Sequence, residues 1–124
     1  MKKNYNDIIA KIKKNYNDLI IYEDHAECDK NSSAIAGNEI FMGIYDDEDI
    51  KIIALFHELG HYLTHKVFSI QTMSTISCES FAWEIGFYIA KQYELEYEYY
   101  SKEKKWARQQ LLTYINEVNI SELK

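Results

Sequence analysis

The segment from residue 46 to about residue 66 constrains the fold most, because its pattern fits one long helix. Its apolar residues are spaced by four, three and four positions, which places them on one side of a helix. They are Ile52, Phe56, Leu59 and Leu63. Residues 46–49 are all acidic and suit the positive end of a helix dipole. The sequence therefore predicts a long helix with one buried face.

The same helix carries His57 and His61, one turn apart on one face. Two imidazoles at this spacing can reach the same metal ion. Glu58 lies about 100° further round the helix, where it can contact a water on the ion without being an equal ligand. Zinc lowers the pKa of a bound water, and a carboxylate in this position can take its proton. The pattern predicts a zinc site with His57 and His61 as ligands and Glu58 as general base.

A zinc site of this kind needs a third protein ligand. A second predicted helix, from about residue 77 to about residue 96, offers Glu79 and Glu84. Small residues recur at every fourth position of this helix and would let two helices approach closely; they are Ala82, Gly86 and Ala90. Glu79 lies within about 20° of this stripe and Glu84 about 120° from it. If the stripe packs against the first long helix, Glu79 points at the histidines, and we expect it to be the third ligand.

Other residues near the motif are further candidates. Gly60 costs about 1 kcal/mol relative to alanine in a helix interior, which indicates that a strand or a substrate backbone comes close to it. His65 lies one turn beyond the motif; it could assist near the site or stabilise a reaction intermediate, or be a partly buried histidine in ordinary packing. Cys78 could bind zinc as a thiolate, although a soft ligand suits a structural site better. No role is assigned to His25 or Cys28.

The rest of the chain predicts smaller elements around these two helices. Gly37 and Asn38 lie between two apolar runs, which is typical of a tight hairpin. Spacing and composition indicate the other elements. In chain order, these are a helix over residues 3–18, a strand over 19–22, the hairpin of 33–36 and 39–42, a loop over 69–77, and a last helix from Ser101 with Trp106, Leu111, Leu112, Ile115 and Val118 on its inner side.

Together these elements predict one α+β domain over residues 1–124, in which a small antiparallel sheet of about three strands packs against several helices. A chain of 124 residues is long enough to fold without disulfides or a structural metal. Its 14 basic and 20 acidic side chains give a formal charge of −6. A negative balance opposes phosphate backbones, so we expect no direct binding of nucleic acid.

The chain contains two cysteines, Cys28 and Cys78, too few to predict a disulfide framework. Three lysines within residues 11–14 interrupt the apolar residues 8–10. The N-terminal region therefore fits neither a signal peptide nor a membrane span. We expect a cytoplasmic protein with reduced thiols.

The residues around the two histidines resemble the core of the ImmA/IrrE metallopeptidases. In that family a hairpin rich in small and aliphatic residues precedes a His-Glu-Leu-Gly-His helix, as residues 33–42 precede residues 54–65 here. Downstream, the family has Glu-x-x-Ala-Asn-x-Phe-Ala. Residues 79–86 are similar, with Trp83 in place of Asn and Ile85-Gly86 in place of Phe-Ala.

This resemblance implies a zincin-like minimal core with a gluzincin-like third ligand. Zinc would be held by His57, His61 and Glu79, and Glu58 would act as general acid and base. The resemblance further implies a short member of the type carried by phages and mobile elements. Its substrates would be cytoplasmic regulatory proteins, such as helix-turn-helix repressors, each cut at one place. The family's Leu-Met-Pro segment after the second helix is missing, which leaves the substrate and any activating signal open.

Three hypotheses follow from these patterns. The first is a site-specific zinc endopeptidase that acts on a protein substrate. The second is a non-catalytic interaction protein that keeps the metallopeptidase fold and binds a regulator or a toxin; the intact Glu58 argues against it, because a pure binder does not need the base. The third is a structural zinc site, whose removal would unfold the chain. The sequence leaves the cleavage site and the oligomeric state open.

Overall fold

The computed structural model of the protein describes residues 4–24, 32–67, 75–93, 102, 104–107 and 109–110. Its elements are α1 (Tyr5–Asn15), β1 (Ile20–Tyr22), β2 (Ser33–Ala36), β3 (Glu39–Met42), α2 (Glu48–Val67) and α3 (Thr75–Lys91). The described residues between 102 and 110 are also helical. This arrangement confirms the predicted α+β class. Within these ranges, every helix is too short or too polar to cross a membrane.

Helix α1 is shorter than predicted at both ends. The side chain of Asn4 caps it by accepting a hydrogen bond from the backbone N–H of Asp7 at 2.9 Å. The helix ends at Asn15 and the chain turns at Asn17 and Asp18, two residue types that favour turns over helix interiors. Its buried side chains have helical spacing: Tyr5, Ile8 and Ile12.

Strands β2 and β3 form the predicted hairpin. They pair antiparallel, with Ile35 opposite Ile40. Gly37 and Asn38 make the turn, and Gly37 has a φ of +61°, a conformation that glycine adopts without steric cost. The hairpin prediction is therefore confirmed at its predicted residues.

Strand β1 corrects the prediction of an antiparallel sheet. The strand order is β1-β3-β2, and β1 runs parallel to β3, with Ile21 opposite Ile40. Asn38, at the hairpin turn, explains this direction. Its carbonyl accepts from the N–H of Ile20 at 2.9 Å, and its side-chain amide donates to the carbonyl of Asp18 at 2.7 Å. Because β1 is tied to the turn at which β3 begins, the two strands start at the same end of the sheet.

The core lies between the sheet and the helices. The predicted stripe on α2 is buried, except that Leu63 is only partly buried against the core. Burying a large aliphatic or aromatic side chain contributes about 1.5–3 kcal/mol relative to leaving it exposed. The fully buried side chains include Ile8, Ile12, Ile40, Met42, Ile52, Phe56 and Leu59.

Helix α2 begins within the predicted acidic segment. The carboxylate of Asp47 accepts from the backbone N–H groups of Asp49 at 2.8 Å and Ile50 at 3.4 Å, which satisfies two N–H groups that lack a partner inside the helix. Lys102 lies 3.1 Å from the carboxylate of Asp49. This ion pair joins the last helical residues to the start of α2.

Helix α3 begins earlier and ends earlier than predicted. It starts at Thr75, inside the segment predicted as a loop, and ends at Lys91. Its end is tightened by hydrogen bonds from the N–H of Gln92 to Ile89 and from the N–H of Tyr93 to Ala90. Residues 69–74 of the predicted loop and residues 94–96 of the predicted helix lie outside the described residues.

The predicted last helix is described only in part. Trp106 is partly buried against the core, as expected for its inner side. The other residues predicted on that side, Leu111, Leu112, Ile115 and Val118, lie outside the described residues.

Candidate metal centre

Two helices bring three polar side chains to one point. Helix α2 supplies His57 and His61, whose Nε2 atoms are 3.2 Å apart. Helix α3 supplies Glu79, whose two carboxylate oxygens lie 2.9 Å from Nε2 of His57 and 3.2 Å from Nε2 of His61. Each of the three residues thus offers a donor atom to a common centre.

Close packing of α2 and α3 places Glu79 there. A Cβ added to Gly60 would lie 2.0 Å from the carbonyl oxygen of Ala82, and one added to Gly86 would lie 2.6 Å from that of Phe56. The two backbones therefore touch where both helices lack a side chain. Gly60 was expected to admit a strand or a substrate, and this expectation is wrong, because the neighbouring backbone belongs to α3.

The spacing of the donor atoms fits one divalent ion. Each of the three residues offers one donor atom, and these three atoms all lie within 4.8 Å of one another, so the side chains can converge on a single ion. Two imidazole nitrogens and a carboxylate oxygen are a donor set that suits zinc among other metals. His57, His61 and Glu79 could therefore bind a metal ion.

The site is largely shielded from water, and its charges are coupled. The side chains of His57, His61 and Glu79 are only 12%, 12% and 14% exposed. Burial alone would raise the pKa of Glu79, but hydrogen bonds from both histidines outweigh it and lower this pKa to about 2. Burial alone would lower the pKa of His61, yet the contact with Glu79 and the charge of Glu58 raise it. In the metal-free chain, Glu79 is therefore an ionised carboxylate that favours the protonated form of His61.

Glu58 lies beside this group and is 5% exposed. The hydroxyl of Ser33, on strand β2, donates to its carboxylate at 3.3 Å. Burial raises the pKa of Glu58, and the charge of Glu79 adds to this, while the two histidines and the Ser33 hydrogen bond offset part of the rise. A carboxyl group whose pKa is raised toward neutral is suited to accept and return a proton.

These residues line a cavity of about 500 Å³. One part of its wall is the backbone and side chains of β2, and another part is α2 with α3. Its remaining lining is mainly small, apolar or aromatic. The lining residues besides the three donors and Glu58 include Ser33, Ile35, Tyr45, Ala54, His65 and Trp106.

The other sequence candidates lie apart from the three donors or outside the described residues. Glu84 is exposed on α3. His65 lines the cavity with its ring 6.2 Å from that of His61, but it is exposed, so the expectation of a partly buried histidine is wrong. Cys78 is a partly buried free thiol and does not belong to the three-residue donor group. His25 and Cys28 lie outside the described residues.

Two contacts at the site were not predicted. One is the hydrogen bond from Ser33 to Glu58. The other is Trp83, whose ring stacks on the imidazole of His57 with centroids 4.0 Å apart and planes at 27°. The sequence contained a signal for the second contact, because Trp83 follows Glu79 by one helical turn and must lie on the same face of α3.

Known proteins offer no comparison for this site. The chain matches no protein-family model, no curated protein and no solved structure.

Proposed function

We propose that the protein is a zinc-dependent endopeptidase that cuts one cytoplasmic regulatory protein. The observation that carries this proposal is the position of the buried Glu58 beside the donor atoms of His57, His61 and Glu79, on the wall of a cavity. A structural zinc site is normally closed by four protein ligands, whereas a catalytic one has three and an open position; here the described residues bring three donors together beside a carboxyl group and a cavity.

In this proposal the three donors hold the ion and Glu58 handles protons. Bound zinc would supply Lewis acidity toward the peptide carbonyl and would make a water molecule more acidic. The donors come from two packed helices, so their positions are set by the core and not by a loop. The cavity beside them gives the substrate backbone access.

Glu58 performs both proton transfers of the hydrolysis. Its carboxylate takes one proton from the attacking water, whose oxygen forms a bond to the carbonyl carbon. The carboxylic acid then gives this proton to the departing amine nitrogen as the carbon–nitrogen bond breaks. The reaction consumes one water and leaves Glu58 ionised for the next cycle. Ser33, which donates to the same carboxylate, holds it in place between the two steps.

The substrate class in this proposal comes from the resemblance of residues 33–42, 54–65 and 79–86 to ImmA/IrrE metallopeptidases. A helix-turn-helix repressor or a similar regulator is the expected substrate, and the core would be a minimal zincin-like one. The net charge of −6 supports a protein substrate over direct contact with DNA.

The test compares the wild-type chain with Glu58→Gln, which removes the proton acceptor but keeps the size of the side chain. Both zinc-loaded proteins are incubated with protein extract from the cell that encodes the chain. New N-termini are then identified by amine labelling and mass spectrometry. We expect one or a few cleavage sites with wild type and a rate at least about 100-fold lower with Glu58→Gln, while both proteins bind one zinc.

Equal sets of N-termini from the two proteins would overturn the peptidase proposal. If the wild type binds zinc and captures a regulator without cutting it, and Glu58→Gln captures it equally, the chain is an interaction protein instead. Measuring the zinc content of both proteins shows whether Glu58→Gln is inactive because the base is missing or because zinc is no longer bound.

A further inference from the structure

Among the described residues, the imidazole of His57 has no partner of the kind that usually orients a metal ligand. A ligating histidine almost always donates its second ring N–H to a carboxylate, a carbonyl or water, and this bond fixes the orientation of the ring. In His57 the second nitrogen, Nδ1, is buried and has no hydrogen-bond partner among the described residues. Within the described residues, a ring-stacking contact holds this ring instead.

Trp83 makes that contact. Its indole ring lies against the imidazole, with centroids 4.0 Å apart and planes inclined by 27°. The residue is 6% exposed, so the packing around it leaves the indole little freedom to move. Because a nearly parallel stack restricts rotation of both rings, it can replace a hydrogen bond as the orienting contact.

Within the described residues, the indole of Trp83 makes no hydrogen bond. Its Nε1 is buried and, within the described part of the chain, has no hydrogen-bond partner. Trp83 follows Glu79 by one turn on α3 and therefore shares its face. Two residues of this face contact His57. Glu79 lies 2.9 Å from its Nε2, and the indole of Trp83 lies against its ring.

We infer that Trp83 is a positioning residue of the metal centre. Its indole face holds the His57 imidazole so that Nε2 points at the donor atoms of His61 and Glu79. The inference rests on the proposed function only in that a metal ion must bind there.

The test measures zinc affinity by competition with a chromogenic chelator in three variants. Trp83→Leu removes the ring but keeps an apolar side chain, and we expect its zinc affinity to fall about 10- to 100-fold, as for loss of an orienting partner. Trp83→Phe keeps a flat ring, and its affinity should stay within about threefold of wild type. Trp106→Leu is the matched control, because Trp106 lines the same cavity and is expected to leave the affinity unchanged.

A second readout reports the ligand geometry directly. The visible absorption of the cobalt(II) derivative depends on coordination number and geometry, so it should change in Trp83→Leu and not in Trp83→Phe. A third readout needs no change at Trp83. The chain has two tryptophans, so Trp106→Leu leaves Trp83 as the emitter, and one equivalent of cobalt(II) should strongly quench its fluorescence.

The outcomes separate this inference from the proposed function. If the wild type binds no zinc, the proposed function fails. If the wild type binds zinc and Trp83→Leu binds it within threefold, only the role of Trp83 is overturned. A Trp83→Phe affinity as low as that of Trp83→Leu would also overturn it. So would Trp83 emission that bound cobalt leaves unchanged, a result available even if Trp83→Leu does not fold.

Discussion

Glu79 organises the candidate site before any metal arrives. Its two oxygens contact both imidazoles, so the three donor groups already lie near their bound positions. Its pKa of about 2 keeps it ionised at every pH at which the protein is expected to work. A metal ion that bound here would therefore not have to deprotonate the carboxyl group.

Removing this carboxylate should abolish tight zinc binding. We expect Glu79→Ala to lower zinc affinity more than the 10- to 100-fold typical of a lost orienting partner, because a donor itself is lost. Glu84→Ala is the control on the same helix, and its affinity should stay within about twofold of wild type. Chelator competition measures both. Similar affinities for the two variants would contradict the assignment of Glu79.

Zinc affinity should also depend on pH with a definite sign. The pKa of His61 is raised above the ordinary value of 6.5 in the metal-free chain, and zinc must displace its proton. Affinity should therefore be highest at alkaline pH and begin to fall while the pH is still above 6.5. Chelator competition between pH 5.5 and 8.5 checks this. A flat profile across that range would show that zinc binding does not displace a proton from His61.

At this scale the sequence predicted what helical spacing determines. The one-turn separation of His57 and His61, and the angle that separates Glu79 from Glu84, are properties of single helices. The contact between Ser33 and Glu58 joins residues 25 positions apart, and no periodic pattern encodes such a pairing. It depends on how the hairpin lies on α2, which is a property of the packed core.

The contact between α2 and α3 determines the separation of the donors. Glycine appears on each helix where the other helix's backbone approaches, at Gly60 and at Gly86. Glycine in a helix interior costs about 1 kcal/mol relative to alanine. The close contact offsets this cost by bringing Glu79 within reach of the two histidines.

Replacing Gly60 by alanine should therefore destabilise the protein, although alanine has a higher helix propensity than glycine. The added Cβ would lie 2.0 Å from a backbone oxygen, and backbone cannot rotate away as a side chain can. We expect Gly60→Ala to lower the free energy of unfolding by about 1–3 kcal/mol, and to weaken zinc because the helices must separate. Urea unfolding in the presence of chelator measures the first effect. Glu84→Ala, exposed on α3, is the control, and a Gly60→Ala protein as stable as wild type would refute the close contact.

The strands show where a sequence pattern stops being informative. The hairpin was predictable because Gly37 and Asn38 encode a local turn. The short run at residues 19–22 indicated a strand but not its partner or direction, since pairing between distant segments is set by tertiary contacts. The direction of β1 comes from the hydrogen bonds of Asn38 to Asp18 and Ile20, which periodicity does not reveal.

At the scale of the whole molecule, we expect the core to form without a metal. Side chains from α1, β3 and α2 are fully buried together. The donors themselves are paired with one another in the absence of an ion. We therefore expect the fold to persist when no ion is bound.

Removing zinc should leave the protein folded. With excess chelator, we expect far-ultraviolet circular dichroism to remain unchanged at 25 °C while zinc is lost. The thermal unfolding midpoint should fall only by the amount by which zinc binding stabilises the folded state at the zinc concentration used. A variant lacking two donors, His57→Ala/His61→Ala, should be folded and insensitive to chelator. Cooperative unfolding on chelation would instead identify a structural zinc site.

The division of the donors between α2 and α3 also sets the order of events during synthesis. The two histidines leave the ribosome before Glu79. A cation that meets the nascent chain at this stage therefore finds only two of the three ligands. Only when α3 has folded back and its small residues have met α2 does the third ligand arrive. If the site holds a metal ion, its binding is therefore a late step in the maturation of this protein, because the third ligand is in place only after α3 has packed against α2.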